Sequence, residues 1–138
     1  MGVSIVIAGS DLSGPKLYFN DPGGSTVAWK AGIIGRNAQA GEEFLEHIFR
    51  SNGPESISLE DAIKYAIVAI SVASGKMPSP SEIEIGCIRL DEPAKILTAD
   101  HAEIKDLYDA SIEIFNEWKS KHRRERGEEE EEAEEEEE

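Results

Sequence analysis

The chain has 138 residues, a net charge of −15 at neutral pH and a single cysteine. Ten of the fifteen excess negative charges lie in residues 128–138, so the remainder carries only −5, an ordinary surface for one domain. One cysteine excludes an internal disulfide framework, and no apolar run has the length of a membrane span. The first ten residues lack the charged leader of a signal peptide, so we expect a soluble intracellular protein.

Three strands are predicted at the start of the chain. Val3–Ala8 is apolar and β-branched without alternation, which predicts a strand buried on both faces. Residues 16–21 and 25–34 are the second and third predicted strands. Asp21–Gly24 contains Pro and two Gly and is predicted to be the turn of an antiparallel hairpin.

Two helices are predicted to follow. From Arg36 to Phe49 the apolar residues recur at helical spacing, and Gly41 within that stripe indicates close helix packing rather than a break. The clearer helix begins after Ser58, a good N-cap, and ends at Gly75, whose position before two prolines is typical of a C-cap.

The chain then returns to strand. Residues 82–90 and 94–98 are predicted strands joined by a short Asp-Glu-Pro turn, and Thr98 or Asp100 is predicted to cap a long last helix. The order is β-β-β-α-α-β-β-α. Because the strand pairs are hairpins, the predicted fold class is α+β, an antiparallel sheet with helices on one face.

The C-terminal part is divided by charge. Residues 119–127 hold five basic side chains and are predicted to be a helix end or linker, where positive charge suits the exposed carbonyls. Residues 128–138 are ten Glu and one Ala, which repel one another and cannot bury apolar surface, so they are predicted to be disordered. A basic cluster directly beside an acidic run does not favour nucleic acid as a partner.

No catalytic motif is present. Gly-Ile-Ile-Gly-Arg-Asn at 32–37 matches neither phosphate-loop pattern, so we expect a structural turn, with an anion at the following helix start as the alternative. No Gly-x-Ser-x-Gly elbow provides a nucleophile. Lys30, beside Trp29, is expected to be solvated or paired with a carboxylate on a neighbouring element.

Nor does the sequence predict a metal site. The three histidines are far apart in the sequence, and each is expected at a helix surface or helix end: His47, His101 and His122. Cys87 lies in an apolar strand-like run and is expected to be a buried, unreactive small hydrophobe. We therefore predict no catalytic, cofactor-binding or metal-binding residues.

A set of short motifs nevertheless stands in order along the chain. They are Asp21-Pro22-Gly23-Gly24, Trp29-Lys30-Ala31, Ile34-Gly35, Leu45-Glu46 and Leu59-Glu60-Asp61-Ala62-Ile63. Each is weak alone, but in this order and spacing residues 2–108 resemble the C-terminal half of an alpha-type subunit of the 20S proteasome core. The likeness is nearest to the eukaryotic alpha-2 type, with an archaeal alpha subunit as the fallback.

The resemblance implies a fold and a role. The fold would be the C-terminal part of the N-terminal-nucleophile hydrolase αββα sandwich, with the N-terminal half missing and residues 1–118 forming a partial alpha-type domain. The role would be a non-catalytic structural subunit of the alpha ring, which gates substrate entry in ubiquitin-dependent degradation. Unlike beta-type subunits, the chain has nothing that matches their N-terminal threonine.

The implied partners are the other alpha subunits, the beta subunits and, through the assembled ring, the regulatory particle, with neither nucleic acid nor membrane. The implied localisation is cytoplasmic and nuclear. The family has about as much chain again before the matching part, so we expect a fragment of a subunit or a truncated paralogue with one sheet face exposed. The alternative is an acidic-tailed adaptor that uses a half-domain as a binding module. A catalytic hydrolase would need a nucleophile that processing exposes.

Overall fold

The structure, a computed structural model, describes residues 2–53 and 56–137, with side chains as far as Glu125. Its elements are β1 (Ile5–Asp11), β2 (Gly14–Asn20), β3 (Thr26–Ala28), α1 (Ala38–Ser51), α2 (Leu59–Ser74), a 3-10 turn (Pro80–Glu82), β4 (Glu84–Cys87), β5 (Lys95–Thr98) and α3 (Lys105–Glu137). Apart from the 3-10 turn, this is the predicted order. The described strands pair only antiparallel, so the α+β class is confirmed.

The strands form two sheets rather than the single predicted sheet. One has the order β1-β2-β3 and the other pairs β4 with β5. The predicted turn between β2 and β3 is confirmed, because the Gly24 N–H donates to the Asp21 carbonyl at 3.0 Å and Gly24 has φ +90°. The Asp21 carboxylate also accepts the Ser25 N–H at 3.0 Å, which closes the turn from a second side.

The prediction that the first strand is buried was wrong. All seven residues of β1 are exposed, and neither core cluster of the described residues includes one of them. The third strand is also shorter than the predicted 25–34 and ends at Ala28. There the chain bends so that the Trp29 ring lies where a side chain at Gly32 would be, which only glycine permits.

The three helices pack together through one apolar cluster. Gly41 lets α1 approach α2, because a Cβ there would lie 3.0 Å from the Ala69 carbonyl oxygen and 2.7 Å from Ile33 Cδ1. The close packing predicted from Gly41 is therefore confirmed. The buried members of this cluster are Phe44, Leu45, Val68, Ala69 and Phe115.

The two predicted ends of α2 are confirmed. The Ser58 hydroxyl accepts the Asp61 N–H at 3.1 Å, which satisfies one of the free donors of the first turn. Gly75 ends the helix in the left-handed conformation with φ +78°. Helix α1 starts two residues later than predicted, after Asn37, which has φ +55°.

A second apolar cluster joins α2 and the start of α3 to the β4–β5 sheet. Its buried members are Ile63, Ile67, Ile83, Ala99, Ile104 and Tyr108. The Tyr108 hydroxyl donates to the Pro78 carbonyl at 2.6 Å, and burial raises the pKa of Tyr108, with smaller contributions from Asp109 and Glu82. This bond fixes the loop after α2 against α3.

The predicted cap of the last helix was wrong. The Thr98 hydroxyl bonds to the Asp100 carboxylate, and the His101 imidazole Nδ1 instead accepts the Glu103 N–H at 3.3 Å. The His101 carbonyl accepts the Ile104 and Lys105 N–H groups at 2.9 Å, so a turn at His101 precedes α3.

Helix α3 continues through Glu137, where the sequence predicted disorder from residue 128. Glu is a good helix former, and a helix that has already formed extends by one residue at little further cost. Residue 138 lies outside the described residues. Helix α3 runs across residues 118 and 127, and the proposed division at these two positions stays a prediction.

Candidate functional site

The turn at 32–37 is engaged in the fold. Gly35 has φ +112°, which favours glycine, and its carbonyl accepts the Ala38 N–H at 3.3 Å. The Asn37 carbonyl accepts the Ala40 N–H at 3.0 Å, and the Asn37 side chain donates to the Ala73 carbonyl on α2 at 3.3 Å. The turn therefore orients α1 on α2, which supports the structural interpretation over an anion site.

Lys30 is exposed beside a shallow surface cavity of about 370 Å³ that Trp29, Glu42 and Glu46 also line. No carboxylate of residues 2–53 and 56–125 lies at ion-pair distance from Lys30. Of the two predicted alternatives, this favours a solvated lysine over a paired one. Trp29 stacks on Phe19, with ring centroids 4.5 Å apart and the planes 7° from parallel. The pair packs the end of β2 without contributing a reactive group.

Cys87 is half-buried, not fully buried as predicted, and its thiol is free. It lines a cavity of about 250 Å³ between the β4–β5 sheet and α2, together with Glu60, Arg89 and Lys95. Arg89 and Glu60 lie 3.9 Å apart at this cavity and are both about half exposed, so their ion pair is weak.

The structure brings together two of the histidines that the sequence separated. Trp118 on α3 lies between His122, at 4.4 Å between ring centroids, and His47 on α1, at 5.4 Å. The Phe44 ring meets Trp118 edge-on at 5.2 Å. The spacing of four between Trp118 and His122 places both on one helix face and was the available sequence signal; the approach of His47 depends on how α1 packs.

Carboxylates lie on both sides of His122. Its Nε2 lies 3.9 Å from Oε2 of Glu43 on α1, and its Nδ1 lies 3.6 Å from Oε2 of Glu125 on α3. In the part of the chain that the structure describes, no three histidine, cysteine or carboxylate side chains are grouped so that they could hold a metal ion. Over the same residues no helix is both long and apolar enough to cross a membrane.

The β1–β3 sheet presents exposed apolar side chains on both of its faces. Residues paired across antiparallel strands share a face, so Ile7 and Tyr18 lie on one face and Val6 and Val27 on the other. These four side chains are 39% to 56% exposed, a high value for apolar strand residues. Strand β1 also presents an unpaired edge of seven residues. Sheet faces and edges of this kind normally pack against another layer.

Comparison with known proteins identifies the family of this chain. The profile described as proteasome subunit matches residues 1–88, so the chain belongs to the proteasome subunit family. Within that family its relatives include alpha-type subunits, and the resemblance to the alpha-2 type is confirmed. The sequence is 43% identical over 105 residues to "Proteasome subunit alpha type-2" of Oryza sativa subsp. indica, covering 76% of this chain and 42% of the rice protein.

Two further relatives have similar coverage. "Proteasome subunit alpha type-2-A" of Arabidopsis thaliana is 40% identical over 112 residues, covering 81% of this chain and 45% of the relative. "Proteasome subunit alpha type-8" of Mus musculus is 40% identical over 109 residues, covering 75% and 40% respectively. The chain thus spans about two fifths of the length of the curated relatives it matches.

Proposed function

We propose that this chain is part of a non-catalytic alpha-type subunit of the proteasome core. The observation that carries the proposal is the uncovered β1–β3 sheet in a chain that spans only about two fifths of its alpha-type relatives. An isolated domain would expose apolar residues on both faces of this sheet at a large cost in hydrophobic free energy. A second layer from further subunit chain would remove that cost.

The proposed complete fold is the N-terminal-nucleophile hydrolase sandwich, in which two antiparallel sheets lie between helix layers. The described chain would supply β1–β3 and the helices α1 to α3, and the further layers that cover the two faces of β1–β3 would come from the remaining part of the subunit. The exposed apolar residues on both faces of β1–β3 support this assignment, because in a sandwich each sheet is covered on both sides.

The proposed role is structural. The subunit would assemble with other alpha and beta subunits, contribute to the gated outer ring, and meet the regulatory particle through the assembled ring in ubiquitin-dependent degradation, in cytoplasm and nucleus. The chemistry of the described residues supports a non-catalytic subunit. The buried hydroxyls of Ser71 and Ser111 are bonded to the Ile67 and Tyr108 carbonyls of their own helices, and Cys87 lies within a strand.

A complementation experiment tests the proposal. The chain is co-expressed with the part of the rice alpha type-2 subunit that the match does not cover, and the two are purified through a tag on one of them. We expect a stable complex. We expect Ile7→Glu to disrupt it, because Ile7 lies on the same exposed face of β1–β3 as Tyr18 and a charge would be placed in the proposed contact. Leu12→Glu is the matched control, since Leu12 lies in the turn between β1 and β2 and is fully exposed. Equal behaviour of the two variants would contradict the proposal.

The intact mass of the natural polypeptide gives an independent test. A polypeptide of about twice the 15.1 kDa of this chain, found with assembled core particles, supports the subunit role. A natural polypeptide of 15.1 kDa that is absent from core particles would oppose it, and a truncated paralogue would then be the better description.

One observation favours a second function, an acidic-tailed adaptor. Helix α3 extends well beyond Trp118, the last aromatic residue of the core, and the extension carries a basic and then an acidic block. If the chain is an adaptor, deletion of residues 128–138 abolishes partner binding, and high salt has the same effect because it screens exposed charges. Binding that survives both treatments would exclude this alternative.

A further inference from the structure

A groove runs along the surface between α1 and α3. The two helices both pack on α2, and side chains bridge the space between them. The Trp118 ring of α3 lies 5.2 Å from the Phe44 ring and 5.4 Å from the His47 ring of α1, measured between centroids. The groove beside these rings has a volume of about 550 Å³. It extends along α3 from Ile114 to Arg124, a rise of about 15 Å or about three helical turns.

The sides of the groove carry apolar side chains from both helices. Ile48 of α1 and Ile114 and Trp118 of α3 are half-buried, so part of each side chain remains in contact with water. All three pack against the core cluster that contains Phe44, which holds them in place. Removal of apolar surface from water is the main favourable term in most protein association. An occupant that fits this groove therefore has apolar side chains of its own.

One end of the groove is basic. Lys121 and Arg124 are exposed, line the groove, and lie three positions apart, which places them on one face of α3. Where side chains are described, from residue 2 to 53 and from 56 to 125, neither has a carboxylate at ion-pair distance. Glu117 also lines the groove and opposes them, so two cations face one carboxylate.

The carboxylates of the adjoining cavity lie closer to other basic groups than to Lys121. Glu46 lies 3.7 Å from Arg50. Glu43 and Glu125 lie 3.9 Å and 3.6 Å from the imidazole of His122. Lys121 and Arg124 therefore present their charges to an outside carboxylate, in a chain whose residues 1–127 carry a net charge of −5.

We propose that the groove between α1 and α3 docks an acidic amphipathic helix of a partner protein. The apolar stripe of that helix covers Ile48, Ile114 and Trp118, and its carboxylates pair with Lys121 and Arg124. An amphipathic helix laid into an apolar groove is a recurring mode of peptide recognition. The charges at the rim select an acidic partner and set its direction. The groove consists of residues of this chain alone, so docking does not depend on the rest of a subunit.

A labelled synthetic helix measures the docking. The probe has about 15 residues, with leucine on one stripe and glutamate elsewhere, and its fluorescence anisotropy is followed as the full chain is added. We expect saturable binding that weakens as the salt concentration rises, because exposed charges are screened. A probe with serine in place of leucine should not bind. In a Trp29→Phe background Trp118 is the only tryptophan, and the leucine probe should shift its emission.

Two double variants with the same change of charge locate the site. Lys121→Glu with Arg124→Glu should weaken binding roughly tenfold, because two attractive pairs become repulsive. Lys119→Glu with Arg123→Glu is the matched control, because these residues line a separate cavity beside α2. It should change binding by about twofold or less, since the added charges are screened by salt. Deletion of residues 128–138 should leave binding in place, in contrast to the adaptor alternative.

Several results would overturn the proposal. The absence of saturable binding would do so directly, and equal weakening in the two double variants would indicate non-specific attraction to the basic end of α3. Undiminished binding of the serine probe would show that charge alone is recognised. A single-stranded RNA that binds with the same dependence on Lys121 and Arg124 would make the surface a nucleic-acid site. Self-association of the chain that is lost in Lys121→Glu with Arg124→Glu would make a second copy the occupant.

Discussion

Replacement of Gly41 by Ala tests the close approach of α1 and α2. At an exposed helical position this change stabilises by about 1 kcal/mol, because Gly is that much poorer than Ala as a helix former. Here the added Cβ would lie 3.0 Å from the Ala69 carbonyl oxygen and 2.7 Å from Ile33 Cδ1. Overpacking of this kind costs about 1–3 kcal/mol. The expected net effect is a loss of about 1 kcal/mol.

The assay is thermal unfolding of the full chain followed by helical circular dichroism. A loss of that size lowers the melting temperature of a small domain by roughly 4–8 °C. The control is Ala66→Gly, an exposed position in α2 that measures the propensity difference alone and should lose about 1 kcal/mol.

A double variant separates the two contacts of Gly41. Ile33→Val removes the Cδ1 atom, so Gly41→Ala should cost less in that background, with the Ala69 carbonyl contact remaining. An increase in stability of about 1 kcal/mol in Gly41→Ala would refute the reasoning, because it would mean that the site behaves as an exposed helical position.

Three further predictions concern single contacts. Ser58→Ala should cost about 1 kcal/mol in urea unfolding, because the first turn of α2 loses its cap; no change would show that water replaces the hydroxyl. Tyr108→Phe should cost about 1 kcal/mol, because the Pro78 carbonyl loses its donor. The pKa of Tyr108 is raised in the folded state, so its contribution is complete below pH 10 and is lost as the pH rises through the folded pKa; alkaline unfolding curves of the Phe variant should lack this loss. Gly32→Ala should displace the Trp29 ring and reduce the near-UV circular dichroism signal, and an unchanged spectrum would contradict the packing described for that bend.

Predictions from local sequence signals were most accurate where a single residue determines the backbone conformation. Ser58 and Gly75 delimit α2 as predicted, because a hydroxyl cap and a left-handed glycine act through neighbours in the chain. Gly41 could also be interpreted correctly, because a glycine in an apolar helical stripe has few roles other than close packing. The same approach failed at the start of α3, where a backbone turn and the imidazole of His101 replaced the expected cap.

Contacts between distant elements could not be predicted in this way. His47 and His122 are far apart in the sequence, and they share Trp118 only because α1 and α3 both pack on α2. Likewise, Val3–Ala8 has the composition of a strand buried on both faces, yet β1 is exposed throughout.

The sequence by itself determined the order of strands and helices, the turns, the caps of α2 and the family, because these depend on local backbone preferences and on ordered short motifs. Only the tertiary structure decided that the strands form two separate sheets and that the apolar faces of β1–β3 are exposed. It also decided that two histidines meet at Trp118 and that two carboxylates lie beside one of them, His122. The physical reason is that burial and side-chain pairing depend on which surfaces meet in space, and an apolar residue has the same pattern in the sequence whether or not its partner layer is present.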